Sequence, residues 1–241
     1  MQSPAAHPGP SPARFHEGRR VTRPRRVDAV VFDLDGVLVD SHEVMGLAFA
    51  AAYAEVVGPG PAPFAQYQRY QGLYFPEIML RMGLPPELEE PFVRESTRLA
   101  DRVPVVDGVV DLLERLRADG LGLAVATGKS GVRARSLLDT LKLLEYFDHV
   151  VGSDEVAHPK PAPDIALRAL SLLGTAPEAA VMVGDAPADI VCAQRAGLVA
   201  IAATWATVDE VGLLGAGPDV VLRRPEQLLE WRSAALRPPA G

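Results

Sequence analysis

The chain has 241 residues, of which 48% are hydrophobic and 23% charged, a composition typical of an ordinary soluble protein with one large domain or two small ones. Its formal net charge of −7 argues against non-specific binding of nucleic acid by the folded body. It does not exclude a phosphorylated substrate, because a local metal ion can reverse the field in a pocket. No apolar run reaches the ~18 residues that a membrane span needs, and no secretory signal is recognisable.

The single cysteine, Cys192, excludes an internal disulfide and fits a reducing compartment. We therefore expect a cytoplasmic protein that binds neither nucleic acid nor membrane. Cys192 itself lies in a helix-like run and is expected to be a small core residue. Residues 1–26 are rich in Pro, Ala, Gly and Arg and lack periodicity, which predicts a disordered basic tail.

The first predicted strand carries the strongest functional signal. Its apolar run at 30–32 is typical of a buried strand, and Asp33 and Asp35 then interrupt that run, with Gly36 directly behind them. Two carboxylates at the carboxyl end of a buried strand are costly unless they share a cation or a proton. Ligands bind at that edge in open α/β sheets. The stretch predicts a site, although a strand followed by a polar turn is the structural alternative.

The next part of the chain is helical. Residues 43–57, 64–83 and 86–102 read as helices, and no strand pattern occurs between residues 41 and 104. This insertion directly follows the acidic strand end. We therefore predict a helical cap at 42–103 that acts as a lid, excludes water and selects the substrate.

From residue 105 onward, apolar strands alternate with helices. The predicted strands are 121–126, 149–151, 180–183, 198–202 and 220–221, and the predicted helices are 107–119, one ending near 141, 161–174 and 187–196. Such alternation predicts right-handed βαβ units and a parallel sheet covered on both faces. The fold class is therefore α/β, with a doubly wound, Rossmann-like core at 27–41 and 104–231 and an inserted helical cap. A disordered tail is expected at 232–241.

Polar side chains follow the ends of successive predicted strands. They are Asp33 and Asp35, then Thr127, then Lys160, then Asp185 and Asp189. Taken singly, Thr127 could cap a helix, Lys160 could be a solvated loop lysine, and Asp185 and Asp189 could favour a helix N-terminus. Because the carboxyl ends of parallel strands lie side by side, we expect these groups to converge instead, and this convergence is the main functional signal.

The convergent groups suit phosphoryl transfer. Asp33 can attack phosphorus and form an aspartyl-phosphate. Asp33 and Asp185 can supply carboxylate ligands to Mg²⁺, and the carbonyl of Asp35 a third protein oxygen. Lys160 offers a positive charge to the phosphate.

Two smaller roles complete this chemistry. Thr127 and the amide of Gly128 can hydrogen-bond the phosphate oxygens. Asp35 would protonate the departing alkoxide and then deprotonate the water that hydrolyses the intermediate.

Four motifs now resemble those of the haloacid dehalogenase superfamily, in the branch with a helical cap after the first strand. They are DLDGV at 33–37, Thr127, KPAPD at 160–164 and GDAPAD at 184–189. The resemblance implies a Rossmann-like core, Mg²⁺ and an aspartyl-phosphate route. By carry-over, Asp33 is the nucleophile and Asp35 the acid/base, while Asp189 orients metal waters or Lys160.

Branches of the family differ at positions that this chain allows us to compare. Family dehalogenases lack the second aspartate of the first motif, so Asp35 disfavours that branch. The related sugar-phosphate mutases carry a histidine where this chain has Met45. They also carry an arginine three residues after a cap glycine, whereas this chain has Phe75 three residues after Gly72. Lys129 is similar to the pattern in phosphoglycolate phosphatases. Met45, Gly72, Phe75 and Lys129 are the candidate substrate-binding residues.

The sequence thus predicts a Mg²⁺-dependent phosphoric monoester hydrolase, acting on a small phospho-acid or sugar phosphate, as a monomer or homodimer. A sugar-phosphate mutase with the same aspartyl-phosphate stays open as an alternative. A non-enzymatic phospho-acceptor module of the receiver kind is a further alternative, although such modules are shorter and have no place for the helical insertion.

Overall fold

The computed structural model describes residues 26–235 of the chain. The predicted N-terminal tail, apart from Arg26, and residues 236–241 of the predicted C-terminal tail lie outside the described residues. Within 26–235, no helix is long and apolar enough to cross a membrane.

Six parallel strands form one sheet in the described residues, in the order β3-β2-β1-β4-β5-β6. The strands are β1 (Ala29–Phe32), β2 (Gly122–Thr127), β3 (His149–Gly152), β4 (Ala180–Gly184), β5 (Val199–Ala203) and β6 (Val220–Leu222). In the register of the sheet, Val31 of β1 stands opposite Ala124 of β2 and Met182 of β4. After β1 the chain adds β2 and β3 on one side of β1, and it then returns to add β4 on the other side. The switch point of this doubly wound order, where open α/β sheets bind ligands, therefore lies at β1.

Helices cover both faces of the sheet, as predicted. They are α5 (Val109–Ala118), α6 (Gly131–Thr140), α7 (Asp164–Leu173), α8 (Pro187–Ala196), α9 (Glu210–Gly215) and α10 (Gln227–Ala235). Alternate residues of a strand point to opposite faces, so Val30 and Phe32 join the apolar cluster under α5, α6 and α10. Ala29 and Val31 join the second cluster, under α7, α8 and α9. The predicted fold class is confirmed.

The helical insertion consists of α1 (His42–Val56), α2 (Phe64–Gln68), α3 (Phe75–Met82) and α4 (Glu89–Arg98). It has an apolar cluster of its own, separate from the two that cover the sheet. Aromatic rings dominate that cluster: Phe75 stacks on Phe92 with ring centroids 4.4 Å apart, and Phe49 lies 5.0 Å from Tyr67. Burial of these rings stabilises the insertion largely from within.

Two helices that the sequence predicts in the insertion are interrupted. The predicted helix 64–83 is wrong as a single element, because the chain turns at 69–74 between α2 and α3, where Gly72 has a φ of +88°. The predicted helix 86–102 likewise divides into α4 and two short 3₁₀ helices, Pro86–Leu88 and Ala100–Arg102. The helix predicted at 161–174 begins only at Asp164, so Lys160 stands in a loop.

Two short helices at the end of the chain, α9 and α10, were not predicted. The helix α10 continues to Ala235 and buries Trp231, and Arg232 forms an ion pair with Asp119. Residues 232–235, which were predicted as part of the disordered tail, are therefore helical. Cys192 is a buried core residue, as predicted, and burial raises the pKa of its thiol to about 12. The other predicted boundaries lie within two residues of the observed ones.

Candidate active site

The predicted strand-end residues meet at the carboxyl edge of the sheet. Asp33 follows β1, Thr127 is the last residue of β2, and Asp185 follows β4. The backbone N–H of Asp33 donates to Val183 O at 2.9 Å, which continues the pairing of β1 with β4 up to the site. Because β1 lies between β2 and β4, the sheet itself brings these three residues together.

Lys160 reaches the same point from the loop after β3. Its Nζ donates to Asp33 Oδ1 at 2.7 Å, to Asp189 Oδ1 at 2.6 Å and to Ala126 O at 3.2 Å, so all three N–H donors are used. The side chain has no exposed surface. Burial alone would lower the pKa of Lys160, but Asp189 and Asp33 outweigh it and raise that pKa above its usual value. Lys160 is therefore a charged, fully buried ammonium.

Asp189 is fully buried in the first turn of α8. Its Oδ2 accepts the backbone N–H of Ala186 at 3.1 Å, and its Oδ1 accepts from Lys160. Its position is fixed by this contact with the start of its own helix. The family resemblance implies that Asp189 orients either metal-bound waters or Lys160. The structure shows the contact with Lys160.

Three carboxylates form a compact acidic cluster. Asp33, Asp185 and Asp189 each offer an oxygen within 4.8 Å of the others. Burial, and then the neighbouring carboxylates, raise the pKa of Asp33 to about 7 and raise that of Asp185 well above its usual value. Asp185 Oδ1 is buried and has no hydrogen-bond partner among the described residues. An orphaned carboxylate oxygen beside two further carboxylates fits a divalent cation with oxygen ligands.

Gly36 makes room for this cluster. A Cβ built on it would overlap with the carboxylate of Asp185, and its φ of +76° lies in the left-handed region that favours glycine. The turn after β1 therefore brings its backbone directly against Asp185. This close approach is compatible with a backbone oxygen from the turn sharing a ligand with that side chain.

The carboxylate of Asp35 is not a member of the acidic cluster. It forms an ion pair with Lys129 and accepts a hydrogen bond from the hydroxyl of Ser41. Burial acts to raise the pKa of Asp35, but Lys129 and Ser41 outweigh it and hold that pKa below its usual value. Asp35 is therefore ionised in this arrangement. Lys129 was predicted to bind the substrate, and the contact of Ser41 with Asp35 was not predicted.

Thr127 and Gly128 complete the core side of the site. The hydroxyl of Thr127 accepts the backbone N–H of Lys129 at 3.2 Å, and Thr127 is buried. A Cβ on Gly128 would lie 2.8 Å from Leu73 O and 2.9 Å from Gly72 O. The loop 69–74 of the insertion therefore packs directly onto the loop that carries Gly128.

A cavity of about 40 Å³, the catalytic cavity, lies between the core and the insertion. The core contributes Asp33, Asp35, Thr127, Gly128, Lys129 and Arg133, and the insertion contributes Met45, Tyr67, Gln71, Gly72, Leu73, Phe75, Ile78 and Phe92. All four candidate substrate-binding residues thus line it, although Phe75 is largely buried in the aromatic cluster. Tyr67 and Arg133 were not predicted. Both come from helices with no strand-end signal, and only the packing of the insertion on the core brings them here.

A doubly wound sheet with an acidic cluster and a buried lysine at its switch point, covered by a helical insertion, defines a hydrolase of the phosphatase type. Residues 30–203 match the family model described as haloacid dehalogenase-like hydrolase. The chain belongs to this family, and the resemblance inferred from its four motifs is confirmed.

Known proteins of similar sequence support the enzyme class. The chain is 35% identical over 214 residues to a probable phosphatase, IndB, of Dickeya dadantii (strain 3937), covering 80% of this chain and 88% of that protein. It is 33% identical over 206 residues to phosphoglycolate phosphatase of Aquifex aeolicus (strain VF5), covering 83% and 94% respectively. The predicted enzyme class, a phosphatase, is confirmed.

Solved structures support the fold. The structure of a hydrolase from Pseudomonas syringae is similar, with a TM-score of 0.76 and 26% sequence identity. The match covers 86% of this chain and 98% of that one. The core and the insertion are therefore both part of a known architecture.

Proposed function

We propose that the protein hydrolyses a small phosphorylated metabolite, a phospho-acid or a sugar phosphate, through an aspartyl-phosphate on Asp33. One observation carries the proposal: Lys160 Nζ lies 2.7 Å from Asp33 Oδ1, beside an acidic cluster with an orphaned oxygen. A buried ammonium beside a carboxylate that needs a cation suits a substrate carrying several negative oxygens. The single cysteine supports a cytoplasmic location.

We assign the divalent cation to Asp33, Asp185 and the backbone carbonyl of Asp35, and we propose Mg²⁺ because all of these donors are oxygens. When bound, the cation neutralises charge on the phosphate oxygens and so permits an anionic nucleophile to approach. Asp189 then serves through Lys160, because it binds the same ammonium that contacts Asp33 and so holds it in place.

In the first half of the reaction, a carboxylate oxygen of Asp33 attacks phosphorus. The bond between phosphorus and the ester oxygen breaks, and Asp35 gives its proton to the departing oxygen. Lys160 and the hydroxyl of Thr127 balance the charge on the phosphoryl oxygens. This step requires a protonated Asp35, whereas the free enzyme holds it ionised beside Lys129. An anionic substrate that draws Lys129 away from Asp35 raises the pKa of Asp35 and permits protonation.

In the second half, water attacks the phosphorus of the aspartyl-phosphate. Asp35, now ionised, takes the proton of that water, the bond to the Asp33 oxygen breaks, and inorganic phosphate leaves. The ion pair with Lys129 suits this half of the reaction, because it favours the charged, proton-accepting form of Asp35.

We assign the insertion, residues 42–103, as the lid of this site. Its loop 69–74 packs on Gly128, and the catalytic cavity between insertion and core, of about 40 Å³, has little room for bulk water. Exclusion of water protects the aspartyl-phosphate from unproductive reactions and strengthens the charge interactions inside. A substrate can enter only when the lid moves.

The proposal is tested by phosphate release from a panel of phosphorylated metabolites, with and without Mg²⁺. Wild-type enzyme should turn over at least one phospho-acid or sugar phosphate only with Mg²⁺, and Asp33→Asn should abolish turnover with little loss of stability. Asp40→Asn, at an exposed aspartate, is the matched control and should retain activity. Mass spectrometry of acid-quenched enzyme should locate a phosphoryl group on Asp33.

Three results would contradict it. Near-wild-type turnover by Asp33→Asn would exclude Asp33 as the nucleophile. Full activity after exhaustive chelation would exclude a required metal ion. A requirement for a bisphosphate, with isomerised product and little free phosphate, would indicate a mutase instead.

A further inference from the structure

A second cavity adjoins the catalytic one. It has a volume of about 260 Å³ and lies between α1 and α4 of the insertion and α6 of the core. Its walls are mainly aliphatic, from Val44, Val93, Val103, Val132 and Leu137. The residues that line it include no aspartate or glutamate in the described part of the chain. Aliphatic walls of this kind bind the apolar part of a small molecule, and the charged groups of the lining are Lys129 and Arg133.

This second cavity lies next to the proposed proton donor. Ser41 and Lys129 both contact the carboxylate of Asp35, and both line the second cavity. Met45 and Arg133 line the second cavity and the catalytic cavity together. The boundary between the two cavities therefore consists of the groups around Asp35, and a leaving group protonated by Asp35 is released at this boundary.

Arg133 is fixed at the same boundary. Its Nη2 donates to Ser96 Oγ at 3.0 Å, and its guanidinium carbon lies 5.5 Å from the ring centroid of Phe92. Together with Lys129, it places positive charge at the end of the second cavity nearest to the proposed phosphate site. The hydroxyls of Thr97 and Ser136 provide polar groups elsewhere in the lining.

The volumes of the catalytic cavity and the second cavity indicate where the organic part of a substrate fits. Small-molecule sites typically have ~300–1,000 Å³, whereas the catalytic cavity has about 40 Å³. The organic part of all but the smallest phosphate esters therefore needs additional space. The second cavity provides about 260 Å³ directly beyond Asp35.

We propose that the second cavity is the subsite for the leaving group, and that the substrate is a phosphomonoester of an uncharged, partly apolar alcohol larger than glycolate. This inference rests on the proposed function and narrows its substrate class. The ester oxygen lies at Asp35, the phosphoryl group lies between Asp33 and Lys160, and the carbon skeleton extends along the aliphatic walls.

Matched esters test the proposal. The probes are cyclohexylmethyl phosphate, ethyl phosphate and 2-phosphoglycolate, which differ in the size and charge of a primary leaving group. With wild-type enzyme, we expect kcat/KM for the cyclohexylmethyl ester to exceed those for the other two by about tenfold or more, because its additional methylenes are buried. A preference for 2-phosphoglycolate over both neutral esters would overturn the proposal.

Filling the cavity provides the second arm. Ala100→Phe places a ring in the lining, so the ratio of KM for the cyclohexylmethyl ester to KM for ethyl phosphate should rise about tenfold. Ser136→Phe fills the cavity from α6 and provides an independent variant if Ala100→Phe does not fold. Ala51→Phe, at an exposed position of α1, is the control and should change neither ester.

The outcomes separate the two proposals. Filling variants that leave the ratio of the two esters unchanged would overturn the leaving-group subsite, even if overall activity fell. Wild-type enzyme that releases no phosphate from any of the three esters or from the metabolite panel would instead overturn the proposed function itself.

Discussion

Lys160 Nζ donates to Asp33 Oδ1 at 2.7 Å in a site where neither side chain has more than marginal contact with solvent. The same ammonium also contacts Asp189. Lys160 is therefore the protein cation that balances the acidic cluster from within. Because Lys160 also contacts the proposed nucleophile, it should contribute both to the stability of the core and to catalysis.

Lys160→Met should consequently lower both activity and stability. The change leaves Asp33 and Asp189 buried without their positive partner, which typically costs about 3–5 kcal/mol. We expect a loss of that size in the free energy of unfolding by urea in metal-free buffer, and no measurable phosphate release.

A double-mutant cycle provides the control for this change. Adding Asp189→Asn to Lys160→Met removes one of the uncompensated charges, so it should recover part of the lost stability without recovering activity. Equal stability of wild-type and Lys160→Met enzymes would show that the ammonium does not balance the cluster.

Gly36→Ala should disrupt the acidic cluster through a single methyl group. A Cβ at this position would overlap with the Asp185 carboxylate, and the residue would also adopt a left-handed conformation that costs about 1–2 kcal/mol. We expect Mg²⁺-dependent activity and Mg²⁺ affinity, measured by calorimetry, to fall at least about tenfold, because displacing one ligand of a site by ~1 Å has effects of that order or more.

Gly120→Ala is a close control for the cost of placing alanine in the left-handed backbone conformation. Gly120 has a φ of +77°, nearly that of Gly36, but a Cβ there would meet nothing within 4 Å. It should lose a similar amount of stability and keep its metal affinity. If both variants bound Mg²⁺ as wild type does, the contact between Gly36 and Asp185 would have no part in the metal site.

The sequence predicts the sheet and the acidic edge well, because both depend on local patterns. Buried strands are continuous apolar runs, and the residues that directly follow them, such as Asp33 and Asp185, must lie at one edge of a parallel sheet. The turn at Gly72 was missed, since its break in the helix is evident only from the backbone. The short helices α9 and α10 were missed for a related reason, as neither has enough length for a clear period.

The contacts between the insertion and the core could not be predicted from periodicity. Lys129 lies in the expected region but binds Asp35, because the direction of a side chain within a turn depends on its tertiary neighbours. Ser41 and Arg133 are ordinary surface residues by pattern, and they join the site only because the folded chain places the insertion beside α6 of the core. Residues of this kind can be identified only from the tertiary structure, in which the insertion and the core are in contact.

Lys129→Met should change the pH dependence of the reaction. Lys129 holds the pKa of Asp35 below its usual value, so removing its charge raises that pKa. The protonated form of Asp35, which donates the proton to the leaving group, then persists to higher pH. We expect the alkaline limb of the kcat/KM profile against pH, measured with saturating Mg²⁺, to move upward. Lys142→Met, after the end of α6, is the control, and the absence of any shift in Lys129→Met would contradict the acid role of Asp35.

Metal affinity should rise with pH. Burial and neighbouring carboxylates raise the pKa of Asp33 to about 7 in the metal-free protein, so protons compete with the cation near neutrality. The ionised fraction of such a group increases about tenfold between pH 6 and pH 8. We expect the affinity for Mg²⁺, measured by calorimetry, to increase by at least that factor, with release of protons to the buffer. Asp33→Asn should bind more weakly and lose the part of this dependence that Asp33 contributes, and a pH-independent affinity in the wild type would contradict the assignment of Asp33 as a ligand.

Gly128→Ala should prevent the lid from closing without touching the acidic cluster. The added Cβ would lie 2.8 Å from Leu73 O and 2.9 Å from Gly72 O, which are backbone atoms and cannot move aside as a flexible side chain can. The loop 69–74 must then withdraw from the core. We expect kcat to fall about tenfold or more for every ester, since small displacements of a closing element have effects of that order, while Mg²⁺ affinity stays unchanged. Gly122→Ala is the control, because the nearest neighbour of its Cβ would be the flexible side chain of Leu173, at 3.2 Å, and not a backbone atom. Tryptic cleavage after Arg69 should be faster in Gly128→Ala than in wild type, and equal rates of both cleavage and turnover would show that catalysis does not need this contact between lid and core.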